Sequence, residues 1–183
     1  MPAADEQHLL REARNGSHLA FRRLVEGHMK QAYGLAYRMV GDHDLAEDVA
    51  QEAFIRAHKM LPEFRGEAGF GTWMYRIVVN LALDRKARES RMTDLKSAES
   101  LEAPEPTPQE EVIRREHRLH LEKALHELPT LQRAVVILRH LEGLSTRQVS
   151  SILGCGEGTV KTHLFRAMRK LQKRLAALGM QAA

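Results

Sequence analysis

The sequence predicts an all-α chain: two small helical domains, residues 1–92 and 116–183, joined by a flexible acidic Pro-rich linker over 93–115, the C-terminal domain being a helix-turn-helix. Three observations predict it. Through residues 1–95 apolar side chains recur at helical spacing and nowhere alternate as strands require. Around EAPEPTPQEE that periodicity is lost, and three of the six prolines fall at 104, 106 and 108. From Ser145 to Arg174 two helical patterns flank a glycine-marked turn.

From the N-terminus, Leu9, Leu10 and Ala13 form a first stripe that Asn15 and Gly16 end. Ser17 can cap a second helix, and a third runs from about His28 to Gly41. Asp44 and Glu47 read as a capping pair opening a helix through Val49, Ala53, Phe54 and Ala57, which Pro62 stops. Asp42, Asp44, Glu47, Asp48 and Glu52 line the start of that helix. Such a strip either offsets the helix dipole, at about 0.3–1 kcal/mol per charge, or offers a docking face to a basic partner, and the residues alone fit both.

Phe64, Phe70, Trp73 and Tyr75 cluster around Gly66, Gly69 and Gly71, ahead of a helix over Thr72–Arg88. Met74, Ile77, Val78 and Leu81 make its apolar stripe; Trp73, Arg76 and Asn80 share another side, followed by Arg85, Lys86, Arg88 and Arg91. The aromatics fit a core. Beside cations they also suit unpaired bases, each stack contributing about 1–3 kcal/mol.

Beyond the linker, Val112 to Leu128 reads as a helix, Pro129 marks the next start, and Leu131, Val135, Leu138 and Leu141 give a stripe ending at Gly143. Ser145 with Gln148 makes a capping box, Val149, Ile152 and Leu153 face inward, and Gly154 can close the helix in the left-handed conformation. Thr159 can cap the second helix, whose core positions are Val160, Leu164, Ala167, Leu171 and Leu175. Its opposite face gathers Thr162, Phe165, Arg166, Arg169 and Lys173, with Lys161 and Lys170 on the flanks. A basic helix after a tight turn suits entry into a DNA major groove.

Charge supports that division of labour. The net charge is +4, yet residues 1–95 carry 14 Lys and Arg against 14 Asp and Glu, 96–118 carry 4 against 6, and 119–183 carry 10 against 4. A basic C-terminal third faces nucleic acid, and the acidic stretch before it avoids it. The lone Cys155 excludes an internal disulfide and a Cys-rich zinc site, and reads as a small buried residue of the turn. With no apolar run of membrane-spanning length and no leader, the expected location is the cytoplasm. Glu116, His117 and His120, with His126 beyond, are the only metal-like spacing, and no nucleophile or carboxylate pair accompanies them. No phosphate loop or dinucleotide fingerprint is present. The expectation is a non-enzyme with no catalytic residue, metal, cofactor or small-molecule substrate.

The order of these motifs resembles one family, the extracytoplasmic-function (ECF) group of bacterial sigma factors, the promoter-recognition subunits of RNA polymerase. FRRLVEGHMKQAYGLAYRMVGDHDLAEDVAQEAFIRAHKML is similar to the family's opening helices, with Asp48, Gln51 and Glu52 in its DxxQE pattern. FRGEAGFGTWMYRIVVNLALDRKAR resembles its promoter-melting segment, and GTVKTHLFRA its C-terminal helix-turn-helix. The middle domain of the larger sigma factors has no counterpart here.

That resemblance implies roles. Asp44, Glu47, Asp48, Gln51 and Glu52 would bind core RNA polymerase at the clamp helices of its largest subunit, with a further contact to the flap of the second-largest. Phe64, Trp73, Arg76, Asn80, Arg85 and Lys86 would hold the minus-10 element of promoter DNA, with an unstacked base captured and the last two on backbone phosphate. Arg147, Thr159, Lys161, Thr162, Phe165, Arg166, Arg169 and Lys173 would serve the minus-35 element. The acidic linker would thread the polymerase's active-site and exit channels. An anti-sigma protein, in this family often membrane-bound, would hold the chain inactive. Two other readings compete. A response-regulator type of helix-turn-helix regulator would need a receiver domain upstream, and a sigma-like decoy would bind partners but not promoter DNA.

Overall fold

The computed structural model describes residues 3–64, 66, 69–92 and 119–177. The expected linker, and the part of the expected helix from Val112 that precedes residue 119, lie outside them, as do Glu116 and His117. Among the described residues there are eight helices and no strand.

Helix α1 (Ala3–Arg14) ends at Gly16, which takes φ 94°. Ser17 then caps α2 (His18–Val40), its hydroxyl accepting from the Ala20 amide at 3.2 Å. The expected break near His28 does not occur. Leu24, His28, Ala32 and Leu35 continue one buried stripe through Gly27, so packing carries a single helix past a residue that by itself only weakens it. Gly41 closes α2 in the left-handed conformation, φ 82°, its N–H on the Tyr37 carbonyl. The cap of α3 (His43–Met60) is Asp42 rather than Asp44: the Asp42 carboxylate accepts from the Leu45 amide at 2.7 Å. Pro62 then turns the chain into a short 3-10 segment, Leu61–Glu63. Helix α4 (Phe70–Met92) starts two residues before the expected Thr72, Trp73 N–H bonding to the Gly69 carbonyl. These helices bury Leu24, Leu35, Met39, Val49, Phe70, Met74 and Val78 almost completely. Each large side chain so buried contributes about 1.5–3 kcal/mol.

Helix α5 covers 119–126, and Pro129 precedes α6 (Thr130–Val136), as the sequence suggests. The stripe predicted for α6 is only half right. Val135 and Leu138 are fully buried, but Leu131 and Leu141 are 46 % and 45 % exposed. Two causes combine. The helix passes into a π-helical turn at Ile137–Leu141, which shifts the phase of every later side chain, and residues 132–138 are buried on all sides because α6 lies amid several helices. Helix α7 (Thr146–Leu153) has the predicted capping box, Ser145 N–H to Gln148 Oε1 at 2.8 Å and Gln148 N–H to Ser145 Oγ at 3.2 Å, and ends on left-handed Gly154. Helix α8 (Glu157–Ala177) begins before Thr159, so Thr159 lies inside the first turn instead of capping it. Cys155 is half-buried against the core.

The C-terminal helices pack on the N-terminal bundle. Val135, Ile137, Leu138, Leu144, Val149, Ile152 and Val160 share one buried cluster with α2, α3 and α4, while Ala124, Leu125, Leu128, Val136, Ala167 and Leu171 form a second between α5, α6 and α8. Arg133, 6 % exposed, fastens the junction. Its Nη1 donates to the Met39 carbonyl at 2.6 Å, its Nε to Leu125 at 2.9 Å, and its Nη2 to His126 at 2.5 Å and Leu128 at 3.3 Å. One guanidinium thus satisfies carbonyls left over at the ends of α2 and α5, where helix dipoles favour a cation. Burial lowers the Arg133 pKa.

Candidate nucleic-acid interface and docking face

On α8 the buried line is Val160, Ala167 and Leu171, and its spacing forces Lys161, Thr162, Phe165, Arg166, Arg169 and Lys173 outward; all six are exposed. Phe165 is 64 % exposed, which an isolated apolar ring avoids, and Arg169 Cζ stands 5.8 Å from its centroid. The Thr162 hydroxyl donates to the Gly158 carbonyl at 2.9 Å, leaving its oxygen to accept. Arg147 on α7 and Thr159 are also exposed.

Helix α4 presents Arg76 and Asn80 to solvent on one face. The aromatic group beside them is packed. Phe64, 8 % exposed, lies 4.8 Å from the half-buried Trp73, and Phe70, fully buried, lies 5.6 Å from Trp73 and 5.1 Å from His28 (centroid to centroid). Trp73 and the exposed Arg76 and Asn80 are therefore the reachable part of the expected set, with Phe64 beneath them. Arg85 and Lys86 are half-buried, and Lys86 Nζ bonds Glu89 at 2.7 Å.

On α3, Asp44, Glu47, Asp48 and Gln51 are exposed and Glu52 is partly so. Gln51 Nε2 bonds Glu47 at 3.1 Å, and Arg56 Nε bonds Glu52 at 2.8 Å, which holds the Glu52 carboxyl below its ordinary range. Ile55, one turn on and 51 % exposed, borders a shallow hollow of about 300 Å³ with Phe21, Phe54, His58 and Lys59. The strip is thus charged at its start and apolar at its end.

Sequence reasoning missed Arg133, Glu142 and Val79. Val79 is fully buried although it lies outside the α4 stripe, because the C-terminal helices cover a second side of that helix. Only the run of apolar residues after Arg133 could have hinted that this arginine is buried. His126 packs on Gly41, and burial together with Arg133 and Lys86 lowers its pKa to about 4. No group of three or more metal-binding side chains occurs among the described residues, and no helix there is long and apolar enough to cross a membrane.

Residues 24–92 match the profile of Sigma-70 region 2, and residues 118–171 that of Sigma-70, region 4. That pairing, on an all-helical chain whose α8 exposes a basic face, defines a sigma factor, a DNA-binding transcription initiation factor that works with RNA polymerase. The chain is 34 % identical to the RNA polymerase sigma-H factor of Pseudomonas aeruginosa, over 97 % of each chain. It is 33 % identical to the ECF RNA polymerase sigma-E factor of Haemophilus influenzae, covering 94 % of this chain and 96 % of that one. Among solved structures it resembles CnrH in complex with the cytosolic domain of CnrY, at TM-score 0.66 and 27 % identity over 94 % of this chain and 98 % of that one. It also resembles the sigma factor RpoE bound to the anti-sigma factor NepR from Bartonella quintana, at TM-score 0.68 and 25 % identity over 85 % and 96 %. The chain belongs to the extracytoplasmic-function group of RNA polymerase sigma factors.

Proposed function

We propose that this sigma factor reads its promoter at two places and docks through α3. The exposed face of α8, with Arg147 and Thr159, takes the minus-35 element. Trp73, Arg76 and Asn80 on α4, backed by Phe64, take the minus-10 element, and Arg85 and Lys86 meet its phosphates. Asp44, Glu47, Asp48, Gln51 and Glu52 bind the clamp helices of the largest polymerase subunit, Ile55 adding an apolar contact, and the C-terminal domain meets the flap of the second-largest. An anti-sigma protein, in keeping with the partners in the similar structures, covers these faces when the factor is idle. The chain acts in the cytoplasm, where its polymerase and DNA are.

One observation carries this reading: a single chain exposes an acidic strip on α3 and a basic face on α8 that has no ion pair among the described residues, opposite signs suited to a protein and to DNA. The test is the double reversal Asp48→Lys with Glu52→Lys. It abolishes co-purification with core polymerase and promoter-specific transcription while the circular dichroism spectrum stays helical. A doubly reversed protein that still assembles with core would leave the strip with dipole compensation alone.

A further inference from the structure

Between α6 and α8 lies a crevice of about 460 Å³ lined by Gln132, Arg166, Arg169, Lys170 and Lys173. Four cations line it, with no carboxylate among the described residues that do so. None of the four has an ion pair among the described residues; the neighbouring Arg174 bonds Glu127 instead, at 2.8 Å. The fifth residue is the informative one. Gln132 is only 8 % exposed, and its Oε1 has no hydrogen-bond partner among the described residues. A carboxamide that far from water is unfavourable until a ligand completes its bonds.

Helix geometry says what that ligand is. Arg166, Lys170 and Lys173 follow one another at steps of four and three, so they form a ridge along one flank of α8. This ridge stands between the buried stripe and the outward line of Thr162, Phe165 and Arg169. A helix about 10–12 Å across fills a major groove about 12 Å wide, so its outward line meets base edges and its flanks meet the sugar-phosphate walls. We propose that the crevice seats one backbone phosphate of the duplex that α8 enters, with Lys170 and Gln132 as its positioning residues. The Lys170 ammonium, with three donors, reaches the phosphate and the Gln132 Oε1 together, and the Gln132 NH2 donates to a second phosphate oxygen. The seat fixes the depth and rotation of α8, and so the base pairs its outward line can read. This rests on α8 being the reader of the minus-35 element.

The test uses holoenzyme assembled with core polymerase, on promoter DNA carrying a neutral methylphosphonate at one position at a time across the upstream element. At one position the substitution weakens wild-type binding severalfold and leaves Lys170→Gln unaffected. Lys170→Gln also weakens matched and mismatched upstream elements equally and lowers the salt slope by about 1. Gln132→Leu weakens DNA binding while its thermal midpoint stays level or rises, because an unpaired buried amide has been removed; a purely structural glutamine would lose stability and binding together. Inorganic phosphate titrated into the free protein separates the two sources of the anion. If it fills the crevice while no methylphosphonate position couples to Lys170, the seat belongs to a free anion and the DNA assignment is overturned. The assignment is equally overturned if Lys170→Gln discriminates between base pairs. Loss of this coupling with promoter-specific initiation intact removes only the seat, whereas a wild-type holoenzyme that ignores the upstream element removes the reading of α8 itself.

Discussion

Glu142, at the end of the π-helical turn, takes hydrogen bonds from Arg38 on α2 and from the Tyr75 hydroxyl on α4, the latter at 2.7 Å. One carboxylate thereby ties the C-terminal helices to two helices of the N-terminal bundle. Burial and the Glu142 charge push the Tyr75 phenol upward, so it remains a donor at neutral pH. The pair is partly buried, Glu142 10 % and Arg38 30 % exposed at the side chain, and Arg38 Nε already lacks a partner among the described residues. Glu142→Ala leaves that guanidinium uncompensated and should lower stability by about 2 kcal/mol, read by chemical denaturation. Adding Arg38→Met should restore part of the loss, because the stranded charge is then gone.

The same tie has a mechanical consequence on the proposed function. The minus-35 and minus-10 elements stand about 25 base pairs apart, which at about 3.4 Å each is about 85 Å. Helices α4 and α7 in contact cannot occupy both. Spin or fluorescent labels on α3 and the end of α8 should report a short distance in the free wild-type protein, a longer one in holoenzyme on promoter DNA, and a broadened one in free Glu142→Gln. Equal distances in the free and promoter-bound states would show that this contact persists during initiation.

His126 gives the junction a pH dependence. Its folded pKa is about 4 against an ordinary 6.5, through burial first and then Arg133 and Lys86. Between those values the unfolded chain binds a proton that the folded chain refuses, so the contribution of His126 to stability falls as pH drops from 6.5 to about 4 and is level outside that window. His126→Phe, which keeps a ring against Gly41, should flatten the decline between pH 6.5 and 4.5 in denaturation measurements. An unchanged slope would place the low pKa elsewhere.

Gly41 and Gly16 form a natural comparison. Both have positive φ, 82° and 94°, but a methyl on Gly41 would lie 2.6 Å from His126 Cε1, whereas one on Gly16 would meet nothing within 4 Å. Gly16→Ala should therefore lose only the left-handed strain, about 1–2 kcal/mol, and Gly41→Ala distinctly more. In a His126→Ala background the two losses should converge.

What the sequence made legible is what local chemistry decides. Ser145, Gln148 and Gly154 announce α7 because a capping box and a left-handed cap are satisfied within the helix they bound. The outward face of α8 is equally legible, since Val160, Ala167 and Leu171 fix its rotation. Asp42 rather than Asp44 at the α3 cap is a two-residue slip between carboxylates of equal capping strength. Arg133 and Glu142 were not legible: their partners Met39, Arg38 and Tyr75 are 94, 104 and 67 residues away, and no periodicity encodes such a pairing. The π-helical turn that exposes Leu141 escapes for the same reason, being a product of packing rather than of the residues within it.

Arg166 is the sharpest test of base reading. Although it belongs to the flank that carries Lys170, it is exposed on α8 one turn beyond Thr162, next to the outward line, where its long side chain can reach a base edge, and it has no ion pair among the described residues to hold it back. Its planar fork can donate two parallel hydrogen bonds to the O6 and N7 of a guanine, a pairing that contributes about 1–3 kcal/mol of discrimination. Arg166→Ala should thus lower holoenzyme binding by that amount at one or two upstream base pairs and leave variants already mismatched there unaffected. Arg166→Lys should recover charge but not the fork, and so restore overall affinity more than specificity. An equal loss on every sequence would assign Arg166 to the phosphate wall beside Lys170, and the reading of bases would then fall to Thr162, Phe165 and Arg169.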